Sequence, residues 1–181
     1  MKSHITESCK RVSVFNDVFD YSQCQRLEEF SINSSFRIGW SDTEDMNRSQ
    51  QFMHSMFSID DLRACGVIEA LRGSAVGSHI SGYEPIGAVL NLTTPADSHV
   101  PHTHNNTDKV CLVYVNTHWD HKWYGETLFY NESLSNIELA IQYRPNQVVL
   151  FDPKIPHSVR PQSHDSVKYR LTLAIMLNKS K

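Results

Sequence analysis

Val110-Cys111-Leu112-Val113-Tyr114-Val115 is a short apolar run, rich in β-branched and aromatic residues, with no helical period. Such a run reads as a strand buried on both faces. Similar runs recur on either side of it. They are Ile86-Gly87-Ala88-Val89-Leu90-Asn91-Leu92, Thr127-Leu128-Phe129-Tyr130, Ile137-Glu138-Leu139-Ala140-Ile141, Val148-Val149-Leu150-Phe151 and Tyr169-Arg170-Leu171-Thr172-Leu173-Ala174-Ile175. Pro95, Asn105-Asn106, Gly125, Pro145-Asn146 and Asp152-Pro153 punctuate them as turns. Many short strands at this spacing describe a sandwich or barrel.

The first part of the chain has a different texture. Val12-Ser13-Val14-Phe15 alternates as a short strand. A helix is expected from about Ser22 to Ile32, capped by Asp20 or Ser22, with Leu27 and Phe30 inward. A strand is expected near Phe36–Trp40. The charged run Ser41–Arg48 then reads as a solvated loop, with a lid as the second reading. Ser58-Ile59-Asp60-Asp61 opens a helix that should run to Leu71 and stop at Gly73, although Gly66 interrupts its pattern. The fold class is therefore mainly β (α+β), one domain over 1–181, with a helical and variable part over 1–83 and a barrel core over 84–181.

Composition narrows the function. A chain of 181 residues, 40% hydrophobic and 20% charged, is ordinary for a globular domain. A net charge of -3 gives no electrostatic reason to expect nucleic acid. The first residues lack an apolar signal core, and no apolar run is long enough to span a bilayer. Cys9, Cys24, Cys65 and Cys111 show no close pairing, and the largely apolar surroundings of Cys65 and Cys111 favour buried free thiols in a reducing, cytoplasmic compartment. The sequence leaves the oligomeric state open.

The chemistry gathers at His102-Thr103-His104 and at Pro156-His157-Ser158. Residues two apart on an extended strand point to one side. His102 and His104 can therefore aim two imidazoles at one point, and His157 can close the set. Imidazole suits iron, zinc, copper or nickel. Against this, 10 histidines in 181 residues make one such pair unsurprising by itself.

Taken in order, the blocks resemble the iron(II)/2-oxoglutarate-dependent oxygenases, in particular the prolyl 4-hydroxylase-like branch. They run from His102-Thr103-His104 through Leu112–Asn116, Trp119, Gly125-Glu126-Thr127-Leu128-Phe129 and Pro145–Asp152 to Pro156–Pro161 and Tyr169–Leu173, about seventy residues in all. The resemblance implies a double-stranded β-helix, the jelly-roll or cupin-like barrel, with N-terminal helices packed on it. It implies Fe(II), 2-oxoglutarate as cosubstrate, molecular oxygen, ascorbate as an auxiliary reductant, and a peptide or small-molecule substrate. His102 falls at the family's first histidine and His157 at its last.

The family's Asp, two residues after the first His, is replaced by His104. A carboxylate would cancel one unit of metal charge; an imidazole does not. Asp108 is the alternative third ligand, awkwardly placed beyond the turn. Arg170, thirteen residues past His157, is placed like the arginine that clamps the distal carboxylate of 2-oxoglutarate. Thr172 and Tyr114 fall where hydroxyls assist it. Trp119, Trp123 and Arg160 are candidates to border the substrate mouth. Trp119 and Trp123 read equally as loop packing, and a surface role is the other reading of Arg160. The implied reaction is C–H hydroxylation coupled to decarboxylation of 2-oxoglutarate to succinate. The alternatives are a three-histidine cupin-type dioxygenase that uses no 2-oxoacid, or a non-catalytic metal-binding jelly roll.

Overall fold

The structure is a computed structural model that describes residues 11–40, 43, 51–97 and 99–180. Among these residues there are ten strands and three α-helices. In chain order they are β1 (Val12–Asn16), α1 (Tyr21–Ile32), β2 (Arg37–Trp40), β3 (Phe52–Phe57), α2 (Ile59–Ala64), α3 (Val67–Arg72), β4 (Tyr83–Thr93), β5 (Lys109–Tyr114), β6 (Thr127–Tyr130), β7 (Ile137–Ile141), β8 (Gln147–Phe151), β9 (His157–Val159) and β10 (Arg170–Lys179). Short 3-10 turns lie at Gly77–His79 and His121–Trp123. No helix among the described residues is long and apolar enough to cross a membrane.

The strands form two antiparallel sheets. The larger has the order β1-β8-β5-β10-β4-β3-β2, and the smaller has β7-β6-β9. β10 lies at the centre of the larger sheet, between β4 and β5. Side-chain alternation along β10 divides the molecule. Leu171, Leu173, Ile175 and Leu177 join a core with Leu62, Val67 and Leu71 of the helices. Each such fully buried aliphatic chain contributes about 1.5–3 kcal/mol. The other face carries Arg170, Thr172, Ala174 and Met176, which line an internal cavity. β5 divides in the same way. Cys111 and Val113 face the helices, while Val110, Leu112 and Tyr114 join a second core with Phe129 of the smaller sheet and Phe151 of β8. This is the jelly-roll arrangement, two sheets face to face with the helices outside the larger one.

The helices start where their caps dictate. Asp20 caps α1 through the Gln23 amide, and Gln23 returns the bond, so the helix begins one residue before Ser22. Ser58 and Asp61 make the same reciprocal box at α2. The single helix expected from Ser58 to Leu71 is two. Gly66 takes a left-handed conformation (φ 72°), which ends α2 and lets α3 restart at a new angle.

Candidate metal and carboxylate site

The segment 102–104 is not part of a regular strand, yet it behaves as one where it matters. The His102 amide donates to the His157 carbonyl at 3.0 Å, and the His157 amide returns the bond at 3.0 Å. The His104 amide donates to the Pro153 carbonyl at 2.9 Å. This isolated bridge sets His102 directly opposite β9 and brings the three imidazoles together. Each of His102, His104 and His157 offers one ring nitrogen, and these atoms all lie within 4.8 Å of one another.

The ring tautomers can be read from their partners. His157 Nδ1 lies 2.8 Å from the Ile155 carbonyl, and His102 Nδ1 lies 3.1 Å from the Val100 carbonyl. A carbonyl only accepts, so each Nδ1 carries the proton and each Nε2 keeps its lone pair. A carbonyl behind the ring that fixes tautomer and orientation is the usual support of a metal-binding histidine. Burial, followed by the nearby His102 and His104, holds His157 well below the ordinary imidazole pKa. It is therefore neutral, as a ligand must be. Asp108 stands elsewhere: its carboxylate accepts the Lys179 amide at 2.9 Å, and it is outside the three-histidine cluster.

The same cavity, about 530 Å³ in volume, is also lined by Arg170. This guanidinium is 1% exposed. Its Nε donates to the Gly125 carbonyl at 2.8 Å, and its two terminal nitrogens reach the hydroxyls of Thr172 and Thr127 only at 3.4 Å. No carboxylate among the described residues pairs with it. The adjacent Glu126 is 3.6 Å from Arg160 instead. Burial lowers the Arg170 pKa, while Tyr114, Tyr143 and, at longer range, Glu126 act in the opposite direction, and a guanidinium stays charged. An isolated buried charge costs several kcal/mol unless an anion meets it. The donor set and the orphan charge therefore fit a metal ion together with a carboxylate ligand.

Thr172 faces the cavity beside Arg170. Tyr114 is buried behind it, its hydroxyl 2.7 Å from Thr127 Oγ1, so it reaches Arg170 through Thr127. Burial raises the Tyr114 pKa and keeps the phenol neutral. Trp119, Trp123 and Arg160 do not line the cavity. Trp119 gives its indole N–H to the Tyr124 carbonyl at 3.0 Å and packs on Tyr143, because a buried indole needs that acceptor. Trp123 stands edge-on against Trp119. Arg160 lies over the Tyr124 ring at 3.8 Å. In their place Trp40, Phe52, Ile86 and Asn91 form part of the wall. His121 is an exposed loop residue beside Asp120. The Ser41–Arg48 loop, apart from Thr43, lies outside the described residues.

Sequence reading assigned no role to Thr127, Asn116 or Tyr143. The first two sat inside blocks already singled out. Tyr143 carried no local signal, since its importance comes from the tertiary contact with Arg170, whose guanidinium is 4.8 Å from its ring centre.

This is the fold of the 2-oxoglutarate-dependent iron oxygenases, prolyl hydroxylases among them, with a three-histidine cluster where the family pattern has His-x-Asp. The chain is similar to the prolyl hydroxylase of Trichoplax adhaerens solved with a hypoxia inducible factor peptide (TM-score 0.68, 17% identity, 93% of this chain and 83% of that one). It is similar to a 2-oxoglutarate-Fe(II) oxygenase from Burkholderia pseudomallei (TM-score 0.68, 11% identity, 95% and 87%). It is also similar to the non-heme alpha ketoglutarate dependent epimerase SnoN from nogalamycin biosynthesis (TM-score 0.62, 11% identity, 95% and 80%). No family model and no curated protein matches the sequence.

Proposed function

We propose that the protein is an iron(II)- and 2-oxoglutarate-dependent dioxygenase that hydroxylates a C–H bond of a peptidyl residue, such as proline, or of a small molecule. The observation that carries this reading is Arg170: a fully buried guanidinium without a carboxylate partner, in the wall of the cavity that also holds three converging imidazoles. His102, His104 and His157 would hold the metal. Arg170 would take the distal carboxylate of 2-oxoglutarate as a bidentate pair, with Thr172 and Thr127 at its flanks and Tyr114 orienting Thr127. The buried Phe52 and Phe151 in the cavity wall would help keep water from that compartment. Bound iron supplies the redox chemistry that no side chain can perform. Overall, one oxygen atom enters the substrate and one enters succinate, with loss of CO2.

The fold alone leaves the substrate open, since it serves proline hydroxylation in one neighbour and epimerisation in another. A three-histidine dioxygenase without a 2-oxoacid is the second reading, favoured by the all-imidazole cluster but giving Arg170 no partner. The deciding experiment loads the protein with Fe(II) anaerobically, titrates 2-oxoglutarate, then admits oxygen and measures succinate against a panel of peptides and metabolites. Saturable 2-oxoglutarate binding and substrate-stimulated succinate release are expected. Metal binding without 2-oxoglutarate binding would transfer the protein to the second reading.

A further inference from the structure

We propose that Gly125 and Tyr143 are positioning residues that fix how far Arg170 reaches into the cavity, and so set the length of the dicarboxylate the site takes. The inference rests on the oxygenase reading above. The guanidinium is held tightly at its stem and loosely at its fork. Its short bond, 2.8 Å, runs from Nε to the Gly125 carbonyl, while the fork nitrogens have only the two 3.4 Å contacts. The fork thus retains donors for a carboxylate.

Neither Gly125 nor Tyr143 lines the cavity; both stand behind the guanidinium. At Gly125 a Cβ atom would meet Arg170 Cδ at 3.0 Å and Nε at 3.2 Å, with Trp119 closing the remaining side at 3.5 Å. The backbone there has φ +85°, so glycine suits both the conformation and the space. Tyr143 supplies the opposite support, with Arg170 at 4.8 Å over its ring. Its hydroxyl lies 2.7 Å from Asn116 Oδ1 and 2.6 Å from the Leu171 carbonyl, and it accepts the Asn116 amide at 3.2 Å. Its ring stacks on Tyr114 at 4.4 Å and 16°. Stacked on Tyr114 and fully buried, this ring backs the guanidinium and limits its retreat.

The two supports predict opposite errors. Gly125→Ala adds bulk behind the stem and pushes the fork toward the histidines, which favours a shorter ligand. Tyr143→Leu removes bulk and lets the fork withdraw, which favours a longer one. The measurement is calorimetric titration of manganese(II)-loaded protein with oxaloacetate, 2-oxoglutarate and 2-oxoadipate, which differ by one methylene each. Wild type should prefer 2-oxoglutarate. Gly125→Ala should shift the ratio toward oxaloacetate by about tenfold and Tyr143→Leu toward 2-oxoadipate by a similar factor, the usual worth of a methylene in a shaped site. Tyr143→Phe keeps the ring and should retain the wild-type order. Melting curves establish which variants fold, and either arm decides alone. Uniform weakening of all three ligands, or an unchanged order, overturns the inference. Failure of wild type to bind any of the three overturns the oxygenase reading instead.

Discussion

The two ends of the cavity are built on different principles. The arginine end is set on the central strand of the larger sheet, completely buried, tied by one main-chain carbonyl at Gly125 and otherwise surrounded by side chains: Tyr143, Tyr114, Thr127 and Thr172. The histidine end hangs on a three-residue strand and an irregular segment, and two of its three rings are partly exposed. Its bracing comes from main-chain carbonyls and amides. A permanent charge in a buried site needs a rigid surround that leaves its fork open for an anion. A neutral ligand set needs only the right tautomer and direction.

The largest expected effect tests the histidine end. His104→Ala removes one of the three donors and should lower Fe(II) affinity by more than about 100-fold, since loss of even an orienting partner costs 10–100-fold. Asp108→Ala should leave it unchanged, because that carboxylate is engaged with the Lys179 amide. His104→Asp should still hold iron as a two-histidine, one-carboxylate set. Iron content after anaerobic reconstitution, measured side by side, decides. Retention in His104→Ala with loss in Asp108→Ala would reverse the assignment.

The arginine end gives the next effect. Arg170→Lys should weaken 2-oxoglutarate by about 100-fold, the loss of about 3 kcal/mol of charge-assisted bonding, with iron content preserved. Arg170→Met sharpens the contrast. It should abolish 2-oxoglutarate binding yet leave the ligand-free protein as stable or about 1–4 kcal/mol more stable by chemical denaturation, because a buried charge waiting for a ligand is a liability. A strongly destabilised Arg170→Met protein would mean that the guanidinium holds up the fold rather than the ligand.

On the opposite face of the same strand, Leu173→Ala should cost about 2–5 kcal/mol of stability through a cavity in the helix-side core, with metal affinity unchanged in the fraction that folds. Smallest is the cap: Ser58→Ala should cost about 1 kcal/mol, read as a shift in denaturation midpoint, and leave both ends of the cavity untouched.

How much of this was legible depends on how much each segment relies on its own alternation. β5 and β8 are nearly continuous apolar runs, and β10 keeps an unbroken apolar face in Leu171, Leu173, Ile175 and Leu177, so all three announce themselves. β3, Phe52–Phe57, does not: only its two ends are buried, so neither a period of two nor a continuous apolar run appears. β9 is three residues long, too short for any pattern. The histidine cluster was readable because strand geometry constrains residues two apart, whereas Arg170 was singled out through the family resemblance, by its place thirteen residues past His157. The aromatic wall was not. Trp119 and Trp123 cluster in sequence beside the Tyr114 strand, but the need of Trp119 for a buried acceptor turns it into the core, and Trp40, far earlier in the chain, lines the cavity instead.

The bridge between His102 and His157 has a consequence for how such a site can change. The main-chain bonds of the segment 102–104 join His102 with His157, and His104 with Pro153. None of them depends on which side chain sits at position 104. That position is therefore an interchangeable socket, in which an imidazole, a carboxylate or a methyl group presents itself from the same backbone without renegotiating the barrel. Single substitutions here can therefore alter the charge and number of donors while these main-chain bonds stay in place.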